Sequence, residues 1–367
     1  MLRLGCAIAM IAASGAPGSA QEQAPAGLRS LDVVAIVETD SLFLSRPCPI
    51  ALGPRGHVYV ADCDQGVILD VGPSGRIERV FGRKGRGPGE FVSPASMAVA
   101  GDSLLAVFDR SARRITMVDL RTWTLGPIVP VQESGPPTMQ FAGPDLLVRS
   151  WDWDTKTSVA TVELGGRVTR REGIIPPIGL KHPMLLQGAF GNAVFAVSGD
   201  DMFAMFEVSP SLYRWKRGSR EAQEIHLPAA RRRGVDPTLF ETLLRDPGRA
   251  RELIYSRSVP VVLERVSDEV LAILTMDVTL EKDLWNATHH LTLFDYGRNR
   301  VCPDLAIPAT RQMVSMGDGL SKAAVRGDTL VLLEPSPDAN GEPVPTLRRF
   351  RIDRAQCPWT SLPGAAP

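Results

Sequence analysis

The chain has 367 residues, with 41 Lys and Arg against 41 Asp and Glu, so its formal net charge is zero at pH 7. That balance supplies no global attraction to nucleic acid or to an anionic membrane surface, and a hydrophobic fraction of 44% is too high for a disordered chain. The 33 glycines and 30 prolines are spread along the whole length, as expected of many short strands joined by many turns.

In chain order, residues 1–20 read as a signal peptide. Arg3 supplies the positive start, Leu4 to Ala13 is an apolar stretch too short to span a bilayer, and Gly18-Ser19-Ala20 is a small-residue cleavage site. The competing reading is a buried N-terminal strand. No later apolar run approaches the roughly 20 residues of a membrane helix. The expectation is a bacterial protein that is exported, periplasmic or secreted, without membrane insertion. Residues 21–30 are expected to be flexible, 31–360 to form one domain, and 361–367 to be a tail.

Residues 31–38 predict a strand that precedes the first repeat. Pro49-Ile-Ala-Leu, Val58-Tyr-Val-Ala-Asp62, Gly66-Val-Ile-Leu-Asp70 and Arg76-Ile-Glu-Arg-Val-Phe81 then predict four short antiparallel strands separated by turns. Four such strands make one propeller blade. Third strands end on a charge at Asp70, Asp119, Glu163, Lys216, Asp295 and Asp353, and most of the intervals between them lie near the roughly 40–50 residues of a blade, the long one containing an insertion. Second strands are expected to end on an acid at Asp62, Asp109, Asp152, Asp200, Asp277 and Glu334. Both markers count to six, so the predicted fold is all-β, a six-bladed β-propeller of four-stranded blades. A ring must close to hide its sheet edges. Either the N-terminal strand or the segment around Cys357-Pro-Trp359 is available to complete the last blade.

The cysteines of the mature chain are Cys48, Cys63, Cys302 and Cys357, which allow three pairings in an oxidising compartment. A hairpin turning at Pro54 to His57 would pair Leu52 with Tyr59, Ile50 with Ala61 and Cys48 with Cys63, giving a disulfide or two reduced buried thiols. Cys302 and Cys357 remain unassigned.

An insertion over 229–257 lies between the outer strand of blade four and the inner strand of blade five. Asp236 is a candidate N-cap with Pro237 at the first helical position, and a second helix is expected over 246–255. This insertion is either a lid on the channel mouth or a decoration between blades. Trp151, Asp152 and Trp153 are assigned to the long turn of blade three, Met202, Phe203 and Phe206 to that of blade four, and Trp285 to that of blade five.

The segment Phe81-Gly-Arg-Lys-Gly-Arg-Gly-Pro-Gly-Glu-Phe91, followed by Pro94 and a strand from Ser96, resembles the connection between blades in NHL-repeat and related bacterial six-bladed propellers. The stretch Pro49-Ile-Ala-Leu with Val58-Tyr-Val-Ala-Asp62 resembles them too. The similarity is specific over about residues 47–110 and a matter of pattern elsewhere. It implies the fold; relatives on this architecture include lyases, lactonases, sensor modules and protein-binding scaffolds, and fold does not fix function. The loop lacks the Gly-Lys-Ser/Thr ending of a phosphate loop and opens no helix, so it reads as packing, with Glu90 and Phe91 locking it to the next blade.

Chemistry is sparse. The histidines His57, His182, His226, His289 and His290 fall at different places in their repeats, with no His-x-His or HExxH spacing, and no Gly-x-Ser-x-Gly elbow occurs. No catalytic or metal-binding residue is assigned. A ring of acids at one face would suit Ca²⁺, the one cofactor entertained, although a turn aspartate ordinarily fixes its own backbone. The residues assigned to ligand binding are Asp62, Asp109, Trp151, Asp152, Trp153, Phe203, Asp277 and Trp285. The expected function is a monomeric binding module that receives a protein or small molecule on its helix-decorated face. A metal-assisted hydrolase, lactonase or lyase at the channel mouth and a structural envelope scaffold are the alternatives.

Overall fold

The computed structural model describes residues 26–39, 42–131, 138–187, 190–228, 232–246, 257–281, 284–307, 322–338 and 340–363. The expected signal peptide and nearly all of the expected second helix of the insertion lie outside these residues.

Strand β1 (Leu28–Ala35) comes first. Blade one is β2 (Pro47–Leu52), β3 (Val58–Asp62), β4 (Val67–Val71) and β5 (Ile77–Gly82); blade two is β6 (Pro94–Ala100), β7 (Leu104–Asp109), β8 (Arg114–Asp119) and β9 (Thr124–Pro130). Blade three is β10 (Met139–Ala142), β11 (Asp145–Asp152), β12 (Thr157–Val162) and β13 (Val168–Glu172), followed by helices α1 (Pro177–Lys181) and α2 (Pro183–Gln187). Blade four is β14 (Ala193–Ser198), β15 (Asp201–Phe206), β16 (Leu212–Lys216) and β17 (Gln223–Ile225), followed by α3 (Pro237–Arg245). Blade five is β18 (Ser258–Ser267), β19 (Val270–Glu281), β20 (Leu284–Asp295) and β21 (Arg300–Ala306); blade six is β22 (Ala323–Arg326), β23 (Thr329–Pro337) and β24 (Pro343–Ile352), and β25 (Thr360–Ser361) ends the series.

Consecutive strands pair antiparallel within each blade. The inner strands β2, β6, β10, β14, β18 and β22 neighbour one another in cyclic order, with β22 returning to β2, so the ring is a closed six-bladed β-propeller. Alternation along the strands explains the core. Val58 and Val60 face blade six, where they meet Val331, Leu333 and Leu347, whereas Tyr59 and Ala61 face blade two and meet Leu105 and Val107. Six such apolar clusters lie between neighbouring blades.

The N-terminal strand completes the last blade, and the C-terminal strand adds a fifth strand to another. β1 pairs with β24 from Leu28↔Ile352 to Ala35↔Thr346 and completes blade six. It begins at Leu28, inside the segment expected to be flexible, because its backbone is taken up by β24. The C-terminal β25 instead adds to β21 of blade five, where a Cys302–Cys357 disulfide holds the chain (Cα–Cα 5.8 Å).

The Cys48–Cys63 disulfide is formed, with Cα atoms 5.9 Å apart, but the hairpin register differs from the expected one. Ile50 pairs with Val60 and Leu52 with Val58, because the connection closes with Gly53 N–H on His57 O and Arg55 and Gly56 both take positive φ. A bulge between Pro47 and Ile50 then brings the two cysteines together. The Phe81–Phe91 loop packs as expected. Lys84 Nζ donates to the carbonyls of Cys63 and Val92, Arg114 donates to those of Arg86, Gly87 and Glu90, and Phe91 is fully buried.

Three further positions need correction. In blade four the second strand is β15, not the strand before it, so Asp200 lies in an exposed turn between β14 and β15, and Glu207 follows the second strand. By the same shift Met202, Phe203 and Phe206 are fully buried strand residues rather than turn residues. In blades five and six the second and third strands run on past Asp277 and Glu334, so Trp285 lies in β20 opposite Leu280, and His289 and His290 lie within that strand rather than at its start.

Candidate functional site

The turns between second and third strands, the connections between blades and the helices share one face of the ring. In blades one and two the repeat acid is spent on backbone. Asp62, fully buried, accepts N–H groups from Ser45 (2.6 Å) and Arg46 (3.0 Å) on one oxygen and from Asp64 (2.9 Å) and Gln65 (2.8 Å) on the other. Asp109, also fully buried, accepts from Val92, Ser93 and Ala112. Each acid ties the end of its second strand to the chain entering the first, a structural use of the carboxylate.

From blade three onward the same position is met by side chains. Asp152 accepts the Thr155 N–H (2.8 Å) and pairs with Arg171 Nε (3.0 Å); the Thr155 bond leads in holding its carboxyl below the usual range. In blade four Arg257 reaches Glu207 Oε1 through Nε and Nη2, each at 2.5 Å, while Asn192 N–H donates to Oε2 (3.3 Å). Burial pushes the Glu207 carboxyl upward, and Arg257 opposes the shift. Arg149 donates to Gly191 O (2.6 Å) with its guanidinium 5.4 Å over the Trp151 ring, and Arg257 stacks 4.6 Å over Phe190.

In blade five Ser258 Oγ donates to Asp277 Oδ1 (2.6 Å) and accepts from Arg233 N–H (3.2 Å), Arg233 Nη2 stands 3.2 Å from the same oxygen, and His290 Nε2 is 3.7 Å from Oδ2. The carboxylate lies between serine and imidazole. A nucleophilic triad needs the imidazole in the middle, so this order gives Ser258 no imidazole base. The neighbouring His289 faces the other side of the sheet, and burial drives its pKa down to about 4, which keeps it neutral.

Helices α1, α2 and α3 cover this sector. Asp236 caps α3 by accepting N–H from Thr238 (2.8 Å) and Leu239 (3.4 Å), with Pro237 at the first position, as the sequence predicts. Phe240 and Val235 pack with Leu185 and Leu186 of α2 and with Trp151, Trp153 and Phe206. The His182 ring meets Phe240 edge-on (5.5 Å), and His182 Nε2 lies 3.8 Å from Glu241 Oε1. The tryptophans therefore bind the helices to the ring. Outward, the cap exposes Leu180 (39%) and Met184 (60%). Phe203 is fully buried between blades, against Tyr296 and Arg214.

The opposite mouth holds residues that the sequence did not mark. Gln140 Nε2 of β10 donates to both Glu264 oxygens of β18 (3.1 and 3.0 Å). Glu264 is half-buried as a residue, yet its carboxylate lies inside the ring and is poorly hydrated. Burial pushes its pKa up to about 7 from the ordinary 4.5, against the Arg265 N–H and the Gln140 amide. An acid with a raised folded pKa holds its proton more tightly folded than unfolded. Its stabilisation is complete below pH 4.5 and is lost as pH rises through 7. Glu264→Gln is therefore expected to flatten this fall and to be more stable than the wild type at pH 8 by about 3 kcal/mol, with little difference at pH 4.5. Urea midpoints at the two pH values check this, and equal differences at both would contradict it.

No family model matches the chain, and no curated protein matches it. Among solved structures, a member of the DUF4221 family from Bacteroides vulgatus is similar with a TM-score of 0.61 at 11% identity, over 90% of this chain and 99% of the other. A candidate exported protein from Bacteroides fragilis is similar with a TM-score of 0.58 at 13% identity, over 89% and 96%. The WD40 repeats of RRP9 give 0.51 at 12% identity, over 90% and 99%. Identities this low establish the shared propeller architecture alone.

Proposed function

We propose that this chain is an exported binding module that receives a protein partner on the helix-decorated face over blades three to five. The observation that carries the reading is the broken repeat. Six blades share one architecture, yet among the described residues this sector alone adds α1, α2 and α3, and beneath them it carries the Arg257–Glu207 and Arg233–Asp277–His290 clusters in place of backbone-bound acids. A scaffold needs no such asymmetry. The exposed Leu180 and Met184, with the Lys181–Glu241 pair joining α1 to α3 beside them, have the apolar centre and charged rim of a protein contact. Two disulfides support an oxidising compartment and hence export.

The test is a photo-cross-linking residue at Met184, with a control at Leu125 on the outer strand of blade two, which is also exposed (41%). In cells that export the protein, the Met184 position is expected to give an adduct of one defined mass and the Leu125 position none. No adduct at 184, or the same adducts at both positions, would contradict the assignment of this face.

A further inference from the structure

Blade one carries a second cluster, at the end of the ring opposite the helices. His57 ends the β2–β3 connection, Asp70 lies near the end of β4, and Glu78 lies near the start of β5, so three adjoining segments of one sheet supply the groups. His57 Nδ1 is 2.7 Å from Asp70 Oδ1, and His57 Nε2 is 4.0 Å from Glu78 Oε2. Among the described residues, this is the one group of three His, Cys, Asp or Glu donors whose ligand atoms all lie within 4.8 Å of one another.

We propose that His57, Asp70 and Glu78 form a binding site for a first-row divalent cation of the Zn²⁺ type. Three observations support it. First, the Asp70 side chain is 5% exposed, and His57 is its hydrogen-bonding side-chain partner; Arg79, opposite Asp70 in the β4–β5 ladder, instead sits 5.8 Å over Trp123. A carboxylate this buried calls for a cation. Second, Asp70 departs from its repeat. The aspartates that close other third strands accept turn N–H groups, as Asp119 does from Arg121 and Thr122, Asp295 from Arg298, and Asp353 from Ala355, while Glu163 pairs with the Arg167 side chain. Asp70 turns to an imidazole instead.

Third, Glu78 is folded inward. Its carboxylate lies over Gly72, where a Cβ would fall 2.0 Å from Oε1, so the absence of a side chain at 72 lets Glu78 approach His57. Asp70 holds the ring through Nδ1, which turns Nε2 toward Glu78, so an ion on Nε2 takes His57 and Glu78 as ligands with Asp70 as the orienting carboxylate. This imidazole–carboxylate set matches the donor preference of Zn²⁺ and leaves the other positions open to water or a ligand. Ca²⁺ prefers six to eight oxygens and is a poor match for an imidazole-led set.

The experiment is calorimetric titration of the full chain, pretreated with EDTA, with Zn²⁺ and separately with Ca²⁺, together with the visible spectrum of the Co²⁺ form. One Zn²⁺ per chain is expected, with no comparable Ca²⁺ binding and an intense four-coordinate Co²⁺ absorption. His57→Ala should abolish binding, and Glu78→Gln should weaken it about 10- to 100-fold. Glu78 is 44% exposed, so its variant keeps the fold and the test stands even if His57→Ala unfolds. Absence of Zn²⁺ binding, binding unchanged in Glu78→Gln, or Ca²⁺ binding as tight as Zn²⁺ would each overturn the assignment.

Discussion

Asp62→Ala is expected to lower the unfolding free energy by about 3–5 kcal/mol, while Asp200→Ala changes it by less than about 0.5 kcal/mol. Both aspartates look alike in sequence, as acids at the end of an apolar run. Asp62 is fully buried and accepts four backbone N–H groups, so its removal leaves four donors without their acceptor. Each buried orphan costs about 1–3 kcal/mol, and relaxation of the turn keeps the sum below four times that figure. Asp200 stands exposed in the β14–β15 turn. Glu207→Ala should resemble Asp62→Ala, because it strands the Arg257 guanidinium in a buried site. Urea unfolding with unchanged slope measures all three. A loss at Asp200 equal to that at Asp62 would contradict the role given to the acids.

The contrast also explains which parts of the molecule were legible. The six charged third-strand ends are local signals, and they place every blade, because a strand that stops at a turn needs a polar residue there whatever its neighbours do. The second-strand marker misleads in blade four, where Gly199-Asp200 imitates a strand end and hides Glu207 one strand later. The inward use of Trp151 and Trp153 depends on α2 and α3, which pack over blade four from two separate connections. Gln140 and Glu264 are 124 residues apart and meet only because the ring closes. The one hint was an acid inside the inner-strand sequence Val262-Leu263-Glu264-Arg265-Val266. His57 and Asp70 were both visible, but their meeting depends on the five-residue turn that sets the β2–β3 register.

Breaking Cys302–Cys357 by Cys357→Ser is expected to cost about 4 kcal/mol, against about 3 kcal/mol for Cys48→Ser, from the chain entropy released by loops spanning 55 and 15 residues. The two losses should also differ in place. Cys48 and Cys63 tie neighbouring strands that the β2–β3 ladder already holds. Cys357 holds a segment with little else to fix it, since β25 has two residues, supported by Arg300 stacked 4.5 Å over Trp359. The same cysteine braces the start of the closing strand. A Cβ at Gly27 would come within 3.1 Å of Cys357 Sγ, and Gly27 O accepts the Asp353 N–H at 2.9 Å. Loss of the disulfide should therefore loosen β25 and the first residues of β1 together and expose the edges of β21 and β24, which invites edge-to-edge association. Amide exchange reads this directly. In Cys357→Ser, protection should fall at Leu28 to Ser30 and at Arg300 to Cys302 well before it falls in β3. A uniform loss of protection across the ring would mean that the disulfide stabilises the fold as a whole and does not guard its closure.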